Sequence, residues 1–173
     1  YQGARFIERQ IQTILNQTRP VHLVVSDDGS SDRTQAIVNT LMEDHPSIEW
    51  VQGPGQGFAN NFLSVFARED LTDYDWLAWS DQDDLWDPTH LESAQRALAG
   101  MGAPAVFGCR TRWIDAQDRF LGLSPRLGHH LGFENALVQS FAGGNTLVLN
   151  REAVMWLQPH LRSVQVRGGL SHD

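Results

Sequence analysis

Hydrophobic positions along the first hundred residues switch repeatedly between a helical and a strand period. Ile7, Ile11, Ile14 and Leu15 fall on one helical face. Asn16-Gln17-Thr18 followed by Pro20 ends that helix. Val21-His22-Leu23-Val24-Val25 is short and rich in β-branched residues, which predicts a buried strand. A polar loop leads from it into a second helix with Ile37, Val38 and Leu41 on its face, broken by Pro46. Ile48-Glu49-Trp50-Val51 predicts the next strand, Gly53 to Gly57 a loop, and Phe58, Phe62, Val65 and Phe66 the apolar side of a third helix. Trp76 to Ser80 predicts a further strand, and a helix from Pro88 carries Leu91, Ala94 and Leu98. Such alternation builds βαβ units, hence an α/β domain with parallel strands and right-handed crossovers. The pattern begins on a helix without an initiator Met, so a strand is expected before Tyr1 and the chain reads as part of a longer protein.

The second part is less regular. Ala105 to Cys109 is a candidate strand. Trp113-Ile114 and Phe120 to Leu123, around Asp115-Ala116-Gln117-Asp118, predict a hairpin. Ser124 to Gly132, with His129-His130, reads as a mobile loop, and Phe133 to Ser140 as a short helix. Asn145 to Leu149 predicts a strand, and Asn150 caps a helix bearing Val154 and Leu157 that Pro159 should end. Arg162 to Ser171 is polar and glycine-rich.

Composition narrows the function classes. At 173 residues the default is one domain, 1–173, with enough chain for a sizeable core. A net charge of −8 argues against a general nucleic-acid or membrane-surface binder. A polyanionic ligand would therefore need a metal ion or local basic groups. Cys109 is the sole cysteine, so no internal disulfide forms, and it reads as a small apolar filler at a strand end. No apolar run reaches transmembrane length.

Two predicted strands end in carboxylates. Trp76-Leu77-Ala78-Trp79 runs into Ser80-Asp81-Gln82-Asp83-Asp84, and the strand at Val25 runs into Asp27-Asp28-Gly29-Ser30-Ser31-Asp32. In open α/β sheets ligands bind at the C-terminal ends of the strands. Clustered carboxylates repel, and a hard cation shared with a phosphate would remove that repulsion. A solvated acidic turn remains an equal reading for Asp81 and Asp83, while Asp87 with Pro88 reads as an N-cap and first helical residue. Capping explains part of the 27–32 loop, yet one cap needs one acceptor and this loop carries three carboxylates. A carboxylate at such an edge can accept from a ribose or a base N–H. Gly53 to Gly57 fits neither common phosphate-loop pattern and reads as a turn. Gly143-Gly144-Asn145 permits close backbone approach, to a neighbouring strand before a ligand. His129-His130 reads as solvated before metal-binding, and His172-Asp173 as either a polar end or a general base.

Several segments together resemble a known family. Tyr1-Gln2-Gly3, Leu15-Asn16-Gln17-Thr18, Asp27 to Asp32, Gly57-Phe58-Ala59-Asn60-Asn61-Phe62 and Ser80 to Trp86 stand in the order seen in glycosyltransferase family 2, with its bacterial rhamnosyltransferase-like branch as the nearest likeness. The resemblance implies a GT-A (Rossmann-like), mostly parallel sheet flanked by helices, lacking its first strand here. It implies a nucleotide-binding half at 1–100 and an acceptor-side half at 101–173. Carried over by position, Tyr1 would lie against the nucleotide base and Asp28 would read it, with Asp27 beside it. Asp81-Gln82-Asp83 would be the DxD signature, Asp83 holding Mg2+ or Mn2+ and Asp81 contacting the ribose or sugar side. Gly143, Gly144 and Asn145 would line the acceptor side, and Asp173 would be the general base.

The implied partners are a nucleotide-diphosphate sugar, dTDP-rhamnose or a UDP-sugar, and a glycan or lipid-linked glycan acceptor. The implied role is inverting transfer in cell-surface polysaccharide synthesis. The implied location is cytoplasmic, at the inner membrane face if peripheral. Alternatives are a nucleotide-sugar-binding module without activity and a nucleotidyltransferase. The chain departs from the family in having neither a first strand before Tyr1 nor residues after Asp173.

Overall fold

Helix α1 (Ile7–Leu15) buries Ile7, Gln10, Ile11 and Ile14, the face its spacing predicted. In this computed structural model, residues 1–126, 142–164 and 166 are described. Strands β1 (Leu23–Asp27) and β2 (Ile48–Gln52) are joined by α2 (Thr34–Asp44) and pair in parallel, Leu23 opposite Ile48 and Asp27 opposite Gln52. Ile7, Ile11, Val38 and Ile48 form the core here, with Leu23, Val25 and Trp50 packed on it. Ile11 and Val38 are wholly inaccessible to solvent.

The second layer follows from α3 (Phe58–Phe66), a 3-10 turn at Glu69–Asp73, β3 (Trp76–Ala78), α4 (His90–Leu98) and β4 (Val106–Phe107). The hairpin β5 (Arg112–Ile114) and β6 (Phe120–Leu123) comes next. After a 3-10 turn at Gly144–Thr146 the chain enters β7 (Val148–Asn150) and α5 (Arg151–Leu161). Phe66, Leu71, Leu149, Ala153 and Val154 form the second core. Arg68 bonds Glu49 on β2 at 2.7 Å and Asp70 at 2.7 Å, holding both carboxyls below their ordinary range, and Gln158 of α5 donates to the carbonyls of Phe66 and Arg68. Arg68 thereby ties the end of α3 to β2, and Gln158 ties it to α5.

The α/β architecture is as expected, with corrections in detail. Parallel pairing among the described residues is confined to β1 and β2. β7 lies antiparallel between β3 and β4, with Trp76 opposite Asn150 and Val106 opposite Leu149, so β3 and β4 share a direction without touching. The strand predicted from Asn145 starts only at Val148. Thr146 folds back on the Gly143 carbonyl through its N–H (2.9 Å) and hydroxyl (2.8 Å), which winds residues 144–146 into a 3-10 turn. Pro159 lies inside α5 rather than ending it, and the helix closes with Arg162 N donating to Gln158 O. Proline costs one N–H there, which is tolerable in a last turn. The predicted hairpin is present, with a bulge between Trp113 and Ile114. Arg9 of α1 holds Asp118 at its tip through both guanidinium nitrogens. The expected 133–140 helix, His129, His130 and Asp173 lie outside the described residues. No helix among the described residues is long and apolar enough to cross a membrane.

Candidate active site

The two acidic strand ends are brought together by the first residues of the chain. Gln2 N donates to Ser30 Oγ (2.8 Å), Gln2 Nε2 to Ser31 Oγ (2.9 Å), Gly3 N to Thr34 Oγ1 (2.8 Å) and Ala4 N to Asp32 Oδ2 (3.0 Å). Asp32 N returns a bond to Gln2 Oε1 (3.2 Å). Gln2 sits at φ 54°, a conformation a side-chain-bearing residue holds only when its surroundings fix it. On the other side a Cβ on Gly3 would stand 3.2 Å from Gln82 Cγ, so Gln82 lies directly against this segment. Gln10 of α1 adds a bond from Nε2 to Ser80 Oγ (2.7 Å). Tyr1, which is exposed, precedes Gln2, the residue bonded to Ser30 and Ser31.

The three carboxylates after β1 have different surroundings. Asp27 is 5% exposed and accepts from Gly29 N, Ser30 N and Ser30 Oγ, so it is consumed in shaping its own loop. Asp32 accepts from Thr34 N and Oγ1, and the Thr34 hydroxyl is the main reason its carboxyl lies below the ordinary range. Asp28 reaches across to the glycine loop and accepts from Gly55 N (2.6 Å), Gly57 N (2.6 Å) and Gln56 N (3.3 Å). Successive N–H groups converging on an anion form a nest, and here the anion is a side chain of the protein. Gly57 stands at φ 88°, which an L side chain rarely adopts. Gly53 has no room for one either, since a Cβ would lie 2.3 Å from Asn61 Oδ1. Asn61 Nδ2 in turn donates to Ser26 O (3.0 Å), closing the end of β1.

Asp28→Ala removes the acceptor that three N–H groups share. We expect amide exchange at residues 55–57 to accelerate and stability to fall by about 1–2 kcal/mol. Unchanged exchange would show that the loop holds its shape without Asp28.

The acidic turn after β3 is closed by Asp84 N donating to Asp81 O (3.4 Å). Asp83 is exposed and Asp84 is half-buried. Burial pushes the Asp84 carboxyl up, a bond from Asn145 opposes this, and Asp81 and Asp83 raise it further. The mutual repulsion expected from the sequence is therefore present. Among the described residues no three His, Cys, Asp or Glu side chains gather as a ready cation cage. Magnesium characteristically takes one or two carboxylates and completes its shell with phosphate oxygens and water. Asp81 and Asp83 supply hard oxygens of that kind, so the residues fit a cation shared with a phosphate ligand and not a cage made of protein alone.

The Gly143–Thr146 turn meets this acidic turn directly, Asn145 Nδ2 donating to Asp84 Oδ2. The sequence left a strand or a ligand as its neighbour; the neighbour is the Asp84 carboxylate. A cavity of about 660 Å³ opens here, its lining including Phe62, Phe66, Trp79, Leu157, Asp81, Gly144 and Asn145. Asn60 pairs with the backbone of Val166 through both ends of its amide, at 3.0 Å each, fastening Val166 to the start of α3.

Sequence reasoning singled out Asp27, Asp28, Asp81, Gln82, Asp83, Gly143, Gly144, Asn145 and Tyr1. The structure gathers the Tyr1 segment, the 27–32 loop and Gln82 around one rim, and joins Asn145 to the acidic turn through Asp84. Gln2, Asn60 and Asp84 went unremarked as site residues. Only Asp84 carried a local signal, being the third carboxylate of its run.

The sequence is similar to known proteins. The sequence profile described as Glycosyl transferase family 2 matches residues 1–154. The chain is 32% identical over 98 residues to the dTDP-rhamnosyl transferase RfbG of Shigella flexneri, covering 54% of this chain and 34% of that protein. It is 32% identical over 142 residues to an uncharacterized glycosyltransferase of Nostoc sp., covering 80% of this chain and 42% of that protein. The chain thus spans less than half the length of either curated relative. A profile match over residues 1–154, on an α/β scaffold with two acidic strand ends at one rim, places the chain in glycosyl transferase family 2 with the GT-A fold.

Proposed function

We propose that the protein transfers a sugar from a nucleotide-diphosphate sugar to an acceptor hydroxyl, with inversion at the anomeric carbon. The observation that carries this is the junction of the two acidic strand ends, Gln2 to Ala4 bonded to the 30–34 loop while Gly3 packs on Gln82. A nucleotide spanning that rim would meet Tyr1 and Asp28 at one end and Asp81 and Gln82 at the other, while buried Asp27 holds the loop that presents Asp28. The relative in Shigella is named for dTDP-rhamnose, and we take dTDP-rhamnose as the donor to test first, with UDP-sugars second.

In this reading Asp83 would hold Mg2+ or Mn2+ at the donor diphosphate. When bound, the cation neutralises charge on the departing diphosphate as a Lewis acid. The acceptor oxygen forms a bond to the anomeric carbon as the bond from that carbon to the phosphate oxygen breaks. The acceptor proton passes to the carboxylate of Asp173, which lies outside the described residues. One carboxylate suffices, because the diphosphate leaves without the general acid a glycosidase needs. Gly143, Gly144 and Asn145 border the acceptor, a glycan or lipid-linked glycan. Polysaccharide synthesis on the cytoplasmic side of the membrane is the corresponding cellular role.

The test is calorimetric titration of the full-length protein with UDP and dTDP, with and without Mn2+, followed by a donor-hydrolysis assay. We expect nucleotide binding that Mn2+ strengthens, and slow release of sugar from one donor. Binding without turnover on any donor would favour a nucleotide-sugar-binding module, and no binding of either nucleotide would overturn the reading.

A further inference from the structure

The Asp84 carboxylate lies where two separately built parts of the site meet. One is the acidic turn that ends β3, closed by Asp84 N on Asp81 O. The other is the Gly143–Thr146 turn, whose Gly143 carbonyl is taken by Thr146 and whose Thr146 is buried. Two tethers join them across more than sixty residues of chain. The backbone tether runs from Trp79 N to Leu147 O (3.4 Å), and the side-chain tether from Asn145 Nδ2 to Asp84.

The side-chain tether also fixes an orientation. The Asn145 amide turns its nitrogen to Asp84 Oδ2 and its carbonyl oxygen the other way. That oxygen stands over Gly143, where a Cβ would lie 2.5 Å from it. A neutral Asn or Gln at position 84 would leave the Asn145 amide free to settle either way round. A carboxylate there is costly beside Asp81 and Asp83, so for packing alone it is the poorer choice.

We propose that Asp84 is a positioning residue: it holds the Asn145 amide so that its carbonyl oxygen faces the acceptor side, and it sets the Gly143–Thr146 turn against the turn carrying Asp81 and Asp83. The ligand this serves is the acceptor hydroxyl, which can donate to the Asn145 oxygen. This rests on the reading of residues 143–145 as the acceptor side.

The test uses the full-length protein with Asp84→Ala, Asn145→Ala and both together. Steady-state kinetics in donor and acceptor, nucleotide affinity with Mn2+, and amide exchange at residues 144–147 are measured for each. Misplacing a substrate-positioning group is costly, so each single change should lower kcat/KM for the acceptor about tenfold or more, while Mn2+-dependent nucleotide affinity stays within about twofold. The double change should be no worse than the worse single one, the sign of one shared interaction. Exchange at 144–147 should accelerate equally in all three. Asp84→Asn should keep the exchange protection in part and lose acceptor discrimination, since its amide no longer dictates the partner's orientation.

A fall in Mn2+ or nucleotide affinity on Asp84→Ala would make Asp84 a cation ligand and overturn the proposal, as would additive losses or unchanged exchange. If the unsubstituted protein transfers no sugar, the function above fails by itself. The exchange cycle still decides whether Asp84 and Asn145 act as one unit.

Discussion

Asp83→Ala in the full-length protein should lower cation-dependent sugar transfer by about a thousandfold or more, equivalent to about 4 kcal/mol of transition-state stabilisation. The protein should remain folded. Asp83 is exposed, so its loss opens no cavity, and Asp83 is one of two neighbours that push the Asp84 carboxyl up. Deleting a charge from a repelling set relieves strain on those that remain. The melting temperature without cation should therefore hold steady or rise slightly. The informative contrast is the response to ligand. A ligand that binds only the folded state raises stability by RT ln(1 + [L]/Kd). The unsubstituted protein should melt higher with Mn2+ and dTDP together, and Asp83→Ala should lose most of that rise. Normal turnover, or a preserved Mn2+-dependent rise, would remove Asp83 from the cation. Asp81→Ala separates the two carboxylates: on the proposed assignment it weakens donor binding whether or not Mn2+ is present.

What the sequence made legible was local. The spacing of Ile7, Ile11 and Ile14 gave α1, and the β-branched run ending at Val25 gave β1, because periodicity and branching act within a few residues. The acidic strand ends were visible for the same reason, since direction along a strand is written in the order of its residues. Long-range pairing was not. Nothing near Val148 says that β7 enters between β3 and β4 reversed, and nothing near Asn60 names Val166, 106 residues away, as its partner. Side-chain destinations were also hidden. Asp27 and Asp28 are chemically identical neighbours. Asp27, the last residue of β1, bonds into its own loop, while Asp28, just past the strand, spans to Gly55 and Gly57. Thr146 was misread because a hydroxyl that folds back on a carbonyl competes with the extended form its branching favours. The Gly143–Thr146 turn is one such case, where the backbone answers to the acidic turn facing it.

Asn150→Ala should lower stability by about 2–4 kcal/mol. Asn150 is 2% exposed and joins β7 to α5. Its Oδ1 accepts from Ala153 N (3.0 Å), the N-cap bond the sequence predicted, and from Ala105 N (2.9 Å). Its Nδ2 donates to Ala103 O (2.9 Å), so one amide caps a helix and fastens the segment leading into β4. Losing the cap alone costs about 1 kcal/mol. The remainder comes mainly from the N–H of half-buried Ala105, worth about 1–3 kcal/mol when left without a partner, since Ala103 is exposed and water can take over at its carbonyl. Asn150→Ser should recover only the cap, because a hydroxyl is too short to serve both Ala153 and Ala103. Asn150→Asp should fare no better than Ala, since it keeps the acceptor, loses the donor and buries a charge. Urea unfolding should show the midpoint falling with an unchanged slope, the mark of lost stability without an altered unfolded state. A loss below about 1 kcal/mol would mean that water replaces the amide at Ala103 and Ala105. The residue also connects stability to the site. β7 leaves the Gly143–Thr146 turn and ends at Asn150 three strand residues later, so slack at Asn150 is transmitted along a short, rigid segment. Acceptor kinetics should then suffer in Asn150→Ala before nucleotide affinity does, because Asp28, Gln2 and the glycine loop are held by bonds that do not pass through β7.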